Sequence, residues 1–365
     1  MLTRGDDYPI HQRATPVAVA GTDRNFYDRY FFNGYSADGS VFFAAALGVY
    51  PHLNIIDAAF AVSDGVTQRS VFASRILAHE RMDTRVGPIA VKVEEPLRRL
   101  RVTVGPNDSG ITADLVFTGR SPPIEEPRFT RTIGARTLMD VTRMTQNGSY
   151  TGTLGFAGTT HEADGWHGTR DRSWGVRPIG AADAQPLVPP APFQFFWLWA
   201  PLNFEHYNMF FHTNDDEHGR PWNRSAVLVP LDGGASIHLL DPRAELTWKP
   251  GTRHAARAVL TATLPDGGDL RVELTPGTPF FMPGIGYGHA SRGHGTFHGE
   301  LSVAAETLDL AAADEGTLPL NHVQALVAAT MTLPDGSIHA GRGVLEQLIV
   351  GPHAPSGFTG LFDLA

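Results

Sequence analysis

The strongest constraint on the fold is a period-two alternation of apolar and polar residues that turn sequences interrupt repeatedly. Residues 257–264 and 269–274 alternate in this way, and between them stands Pro265-Asp266-Gly267-Gly268, which is typical of a β-hairpin turn. The same Leu-Pro-Asp-Gly sequence recurs at residues 333–336. Strand-turn-strand units of this kind predict antiparallel sheets.

Helical patterns are few and short. They are confined to residues 75–82 and 320–329, and the second of these is equally compatible with a strand. A doubly wound α/β fold needs long amphipathic helices between its strands, and this chain has none. The sequence therefore predicts an all-β protein with a few short helices, built as two tandem barrels or as paired sandwiches.

Composition excludes several classes of function. The 365 residues are 42% hydrophobic and contain no Cys, so disulfide scaffolds, thiolate metal sites and cysteine nucleophiles are ruled out. A formal net charge of −9 argues against a general nucleic-acid-binding protein. The first residues lack the basic region of a signal peptide, and no long apolar run predicts a membrane span, so we expect a cytoplasmic protein.

The composition changes once, at residues 179–192, where four prolines interrupt the strand pattern. This change predicts an N-terminal β domain at residues 1–180, a Pro-rich linker at residues 181–192 and a C-terminal β domain at residues 193–365.

The densest group of charged and aromatic residues lies at residues 164–177, just before the predicted linker. On an extended chain, Asp171 and Ser173 point to one face of the strand. Arg170, Arg172 and Trp174 point to the other face. This group is either a structural ion-pair network with a Trp plug at a domain junction, or a functional site.

Several motifs resemble the carotenoid hydratase (hydroxyneurosporene synthase) and AttH-like superfamily. The clearest is Gly168-Thr-Arg-Asp171-Arg-Ser-Trp174-Gly175. Other similar stretches lie at residues 146–152, 30–34, 93–96, 284–289 and 293–300. Asp171, Trp174 and Gly175 match the hydratase pattern, whereas Arg170, Arg172 and Ser173 replace its two His and its Asn. The resemblance implies two tandem lipocalin-like barrels, and relatives that are hydratases, cyclases and pericyclases of isoprenoid or polyketide substrates.

Acid catalysis on an alkene gives these residues a chemical role. A buried Asp171 would keep its proton and act as the general acid, because desolvation raises the pKa of a carboxyl. Aromatic faces stabilise a carbocation, and Trp is the best of them. Trp174, Trp197 and Trp199 are therefore candidate pocket walls, with the alternative that residues 193–199 form an ordinary core strand.

Further polar residues are candidates for substrate binding. Arg170 and Arg177 would hold Asp171 or a polar end of the substrate. His206 and Tyr207 interrupt an apolar strand and would orient water or act as a base, or they form an outward polar face. His298 belongs to a His- and Gly-rich stretch whose spacing fits no common metal frame, so no metal is expected. The sequence contains no phosphate-binding loop, so no cofactor is expected either.

Three functions stay open at this point. The first is a cofactor-independent lyase or isomerase, of the hydratase or cyclase type, that acts on a hydrophobic terpenoid or polyketide in a barrel or inter-barrel cavity. The second is a non-catalytic, lipocalin-like carrier of a lipophilic ligand. The third is a hydrolase using Ser173 or Ser291, although no nucleophile turn is visible. The expected partner is a hydrophobic small molecule, and a homodimer is left open.

Overall fold

The computed structural model describes residues 2–11, 23–182 and 193–365, and this part of the chain is all-β, as predicted. Its two sheets curve into one half-barrel and one nearly closed barrel. The chain divides into two compact units. Unit 1 comprises residues 1–189 and 283–312, and unit 2 comprises residues 190–282 and 313–365.

Unit 1 holds one 14-stranded sheet. Its strands are β1 (Phe26–Tyr35), β2 (Phe42–Tyr50), β3 (Ile55–Ser63), β4 (Thr67–Ile76), β5 (Arg85–Val86), β6 (Ile89–Glu95), β7 (Arg99–Val104), β8 (Thr112–Gly119), β9 (Ile124–Glu125), β10 (Phe129–Ile133), β11 (Arg136–Phe156), β12 (Thr159–Glu162), β13 (Trp166–Val176) and β21 (Leu301–Asp309). The main path runs β21-β4-β3-β2-β1-β13-β11-β8-β7-β6-β5.

Unit 2 holds one nine-stranded sheet in the order β17-β16-β15-β14-β23-β22-β20-β19-β18. Its strands are β14 (Phe195–Phe204), β15 (Tyr207–Asp215), β16 (Pro221–Pro230), β17 (Ile237–His238), β18 (Leu240–Trp248), β19 (Ala255–Thr263), β20 (Asp269–Phe281), β22 (Val323–Thr332) and β23 (Ile338–Val350). Short 3-10 segments lie at Arg4–Asp7, Pro51–Leu53, Met282–Ile285, Leu318–Leu320 and Ala354–Ser356.

Alternation along the strands gives each sheet one apolar core face. In unit 1, Tyr30 and Phe32 of β1 pack with Leu47 of β2 and Phe60 of β3 in a single buried cluster. The intervening residues of the same strands point to the opposite face, which we call the outer face. Because paired residues of antiparallel strands share a face, the register fixes which side chains meet there.

The predicted hairpins are present. Thr263 of β19 pairs with Asp269 of β20 across the Pro-Asp-Gly-Gly turn, and Thr332 of β22 pairs with Ile338 of β23 across the second Leu-Pro-Asp-Gly turn. The helix expected at residues 75–82 is wrong, because the start of this segment completes β4, where Arg75 pairs with Leu301. Residues 323–329, ambiguous in the sequence, belong to strand β22.

The two units differ from the predicted domain bounds at one segment. Residues 283–312 fall inside the predicted C-terminal domain, but they pack with unit 1, where β21 pairs with β4 and extends that sheet. Residues 183–192 of the predicted linker lie outside the described residues. Within the described ranges, no helix is long and apolar enough to cross a membrane.

Candidate functional site

Arg29, Gly48 and Asp57 lie side by side in a row on three neighbouring strands, on the outer face of unit 1. Arg29 of β1 pairs with Ser173 of β13 on one side and with Gly48 of β2 on the other. Asp57 of β3 pairs with Gly48 and with Ser74 of β4. The row therefore places an arginine and a carboxylate on the same face, with only a glycine between their strands.

Asp57 is held by two hydrogen-bond donors. The Gly295 amide donates to its Oδ2 at 2.6 Å, and the Tyr50 hydroxyl donates to its Oδ1 at 3.1 Å. The Tyr50 side chain folds back over Gly48, where a Cβ would stand 2.2 Å from the Tyr50 hydroxyl oxygen. Glycine at position 48 is thus what lets the tyrosine reach the carboxyl group.

The surroundings of Asp57 change its acidity. Burial raises the pKa of this carboxyl to about 6, against the opposing effects of the Gly295 amide, the Arg29 charge and the Tyr50 hydroxyl. A pKa near the working pH is what a general acid or base requires. Burial likewise raises the pKa of Tyr50 well above its ordinary value, so the phenol keeps its proton and stays a donor.

Arg29 connects this row to the segment at residues 283–300. Its Nη1 donates to Nδ1 of His294 at 2.8 Å, and its guanidinium lies 4.3 Å from the centre of the Tyr287 ring. Nε2 of His294 is 2.9 Å from the Ile285 carbonyl oxygen. Nε2 of His294 also lies 2.7 Å from Nη2 of Arg29, so both ring nitrogens face the guanidinium group.

Glycine is required where this segment turns beneath His294. Gly286 has a φ of +94°, in the region that favours glycine, and a Cβ there would stand 2.8 Å from two atoms of the His294 ring. The Gly- and His-rich sequence is therefore the means by which the histidine approaches Arg29.

Two openings adjoin this cluster. A hollow of about 20 Å³ is lined by Asp57, His294 and His298, among others, and has room for one water-sized group. A larger pocket of about 360 Å³ is lined by Arg177, Tyr287 and His294, among others. His294 borders both openings, whereas Asp57 is among the lining residues of the smaller one.

Asp171 lies on the outer face of unit 1, in the row next to Arg29. It pairs with Phe31 of β1 and Thr145 of β11, and it is 8% exposed. Burial opposes it, but the electrostatic influence of Tyr287, Tyr50, Asp57 and Asp171 raises the pKa of Arg29. The assignment of Asp171 as general acid stays a prediction.

The neighbours of Asp171 in sequence point into the core face. Arg170 forms a fully buried ion pair with Asp7, and Arg172 pairs with Asp28. Trp174 stacks on the His11 ring at 3.6 Å. The proposed role of Arg170 beside Asp171 does not fit this position, because strand alternation carries its side chain to the opposite face.

Other sequence-predicted residues are dispersed. Arg177 lies over the rings of Tyr27 and Tyr287, at 4.6 and 5.6 Å from their centres. His298 borders the hollow of Asp57, and burial, together with the charge of Arg292, lowers its pKa.

His206 lies in the turn between β14 and β15, and Tyr207 is the first residue of β15. The His206 side chain is 67% exposed and lies 3.8 Å from Glu205, while Tyr207 contacts the His339 ring. They are not among the residues that line the openings near Asp57.

Trp197 belongs to a second buried cluster, in unit 2. Its Nε1 donates to Glu346 at 3.1 Å, and Nε2 of His322 and Nε2 of Gln324 also contact this carboxylate, each at 2.7 Å. Trp199, almost fully buried, pairs with Glu346 across β14 and β23. Three donors on one carboxylate make a well-satisfied, ordered polar cluster on the face away from the unit 2 core.

Sequence reasoning missed Asp57, Arg29 and Glu346. Asp57 stands in the run Ile55-Ile-Asp-Ala-Ala-Phe60, and a single charge within a run typical of a buried strand was the available signal. His294 lies in the His- and Gly-rich stretch around His298, whose spacing fits no common metal frame. Within the described residues, no group of three or more His, Asp or Glu side chains is arranged to hold a metal ion.

A family model matches residues 2–359 of the chain. The chain belongs to DUF8625, described as a family of unknown function. No curated protein matches its sequence.

Solved structures share the fold at low sequence identity. An AttH-like protein from Nitrosomonas europaea is 16% identical, with a TM-score of 0.53 over 90% of this chain and 94% of that one. CghA, solved with Sch210972, is 12% identical, with a TM-score of 0.53 over 90% of each chain. Kievitone hydratase from Nectria haematococca is 10% identical, with a TM-score of 0.49 over 94% of this chain and 97% of that one. The resemblance to the carotenoid hydratase and AttH-like superfamily is confirmed at the level of the fold.

Proposed function

We propose that this DUF8625 chain is an enzyme of the hydratase or cyclase type that moves a proton to or from a hydrophobic small molecule, such as a terpenoid or polyketide, without a cofactor. The observation that carries the proposal is the partly buried carboxyl of Asp57, whose pKa is raised to about 6 and which lines a small hollow that shares His294 with an open pocket. A carboxyl in this condition exchanges its proton near neutral pH.

The residues around Asp57 suit such a step. In its protonated form the carboxyl donates a proton into the hollow, and the carboxylate that remains is stabilised by the Gly295 amide and the nearby Arg29 charge. The hollow has room for one water molecule, which suits a hydration. It would equally hold the terminal carbon of a substrate whose body lies in the adjoining pocket. Tyr287 presents an aromatic ring to that pocket.

Asp171 is the second carboxyl that this proposal retains. It occupies the same face as Asp57 and influences the same arginine. Because enzymes that protonate alkenes also need a base to accept or return a proton, two carboxyls near one guanidinium allow the two roles to be divided.

The experiment is proton exchange in D₂O. The purified protein is incubated with a panel of terpenoid and polyketide alkenes, and deuterium incorporation or a mass gain of one water is followed by mass spectrometry. We expect Asp57→Asn to abolish incorporation, and the wild-type rate to fall as the pH rises through about 6. Asp171→Asn tests the second carboxyl. Asp266→Asn, in an exposed hairpin turn of unit 2, is the matched control. Full activity of Asp57→Asn would refute the assignment.

A non-catalytic carrier is the second candidate function, and one observation favours it. Unit 2 contains a cavity of about 530 Å³ whose lining includes Phe196, Leu198 and Phe211 from its buried core. This volume lies within the roughly 300–1,000 Å³ of small-molecule sites. A carrier would bind its ligand equally well after Asp57→Asn and would show no turnover at any pH.

A further inference from the structure

The cavity of unit 2 lies between the two ends of its sheet. Strand β18 stands at one end of the strand order, where it pairs with β19, and β16 stands near the other end. Residues of both strands line the cavity, including Arg224 from β16 and Leu246 from β18. The sheet therefore leaves an opening here through which the interior of unit 2 can be reached.

The inner part of this cavity is apolar. Phe196 of β14 and Phe211 of β15 belong to the buried core cluster of unit 2, and Leu246 and Trp248 of β18 pack against that cluster. All four line the cavity. A ligand would bury hydrocarbon or ring surface here, which is the main source of affinity for small apolar molecules.

Two arginines line the same cavity. The guanidinium groups of Arg224 and Arg243 have no hydrogen bond, ion pair or ring contact within the described part of the chain. Arginine usually binds carboxylates or phosphates through several N–H groups. Arg224 lies on the same face of β16 as Ala226 of the core, and Arg243 lies on the exposed side of β18, so the two groups provide positive charge for an anionic head group at the rim of the cavity.

The acidic residues of the cavity do not occupy these arginines. Oδ1 of Asp215 accepts a hydrogen bond from the Thr213 hydroxyl at 2.7 Å, and its Oδ2 lies 3.6 Å from Nε2 of His353. Glu245 lies on the exposed side of β18, on the same strand face as Arg243. Both arginines are therefore available to an anionic head group.

We propose that the unit 2 cavity binds an amphipathic carboxylate, with its apolar body against the core of unit 2 and its head group on Arg224 and Arg243. This proposal rests on the cavity and goes beyond the catalytic proposal for unit 1. It gives the site a ligand class: a monocarboxylic acid with a hydrocarbon or ring body.

The experiment compares three ligands of equal chain length by calorimetry, below their micelle concentrations: decanoate, decanol and decylamine. We expect decanoate to bind tightest. Arg224→Gln and Arg243→Gln should each weaken decanoate about tenfold, as expected for the loss of a charge-assisted hydrogen bond, and should leave decanol unchanged. Arg271→Gln, in an exposed ion pair with Glu273, is the matched control.

Three results would overturn the proposal: no binding of decanoate, equal binding of decanoate and decanol, or tighter binding of decylamine. Ala244→Phe, which adds a ring to the cavity wall, should remove binding in a protein whose circular dichroism is unchanged. Retained decanoate binding by Asp57→Asn separates this test from the catalytic proposal. If that variant binds normally and has no proton-transfer activity, both proposals stand, and either can fail alone.

Discussion

The raised pKa of Asp57 makes a quantitative prediction about stability. This carboxyl has an ordinary pKa of 3.8 and a pKa of about 6 in the folded protein. Between these values the folded state keeps the proton and the unfolded state loses it, so the free energy of unfolding falls as the pH rises. At roughly 1.4 kcal/mol per pH unit, the loss is about 3 kcal/mol, complete above pH 6.

Asp57→Asn isolates this effect. Its amide can accept the Gly295 N–H through oxygen and donate to the Tyr50 hydroxyl oxygen through nitrogen, so the shape and contacts of the site persist without a charge. We expect the stability of the wild type relative to this variant to fall by about 3 kcal/mol between pH 3 and pH 7, and by about 2 kcal/mol of this between pH 4 and pH 7.

Unfolding in urea is measured at several pH values. Hydrogen exchange of peptides from β3 is the readout, so that the unfolding of unit 1 is what is observed. Other titrating groups are common to both proteins and cancel in the difference. A difference that stays constant across this range, or one that increases with pH, would refute the reasoning, because it would mean that the folded carboxyl titrates at or below its ordinary pKa.

Two further changes test how the surroundings are built. Arg170→Met removes the counter-charge of Asp7 and leaves it the hydrogen bond from the Leu97 amide, so urea unfolding should show a loss of about 3–5 kcal/mol. Adding Asp7→Asn should restore part of this loss, and equal stability of all three proteins would contradict the prediction. Gly48→Ala should displace the Tyr50 hydroxyl, cost about 1–3 kcal/mol and raise the pKa of Asp57 further, which carboxyl ¹³C NMR titration can follow.

Local patterning accounts for the part of the structure that could be predicted. Alternation places Asp171 and Ser173 on one face and Arg170, Arg172 and Trp174 on the other, and the register of β1 with β13 agrees. The turn at residues 265–268 likewise needs only its own sequence and its two flanking strands. Period and turn chemistry are properties of neighbouring residues, so a single sequence carries them.

The site around Asp57 depends on contacts between distant residues. Gly295 reaches Asp57 from 238 positions further along the chain, and His294 reaches Arg29 from 265 positions away. These contacts exist because residues 283–312 return from unit 2 to pack with unit 1. No local pattern encodes this return, since the strand signal of β21 is the same whichever sheet it joins.

The two units use the same kind of sheet differently. In unit 1, the core face near Arg170 and Arg172 is filled by residues 2–11, where Asp7 is fully buried and the Tyr30 hydroxyl donates to its carbonyl oxygen. In unit 2, Phe196 and Phe211 line an open cavity instead. In unit 1 the carboxyls that we propose for proton transfer therefore lie on the outer face, whereas in unit 2 the proposed ligand site lies on the core side. We therefore expect substitutions at Asp57 and at Arg224 to affect turnover and ligand binding independently.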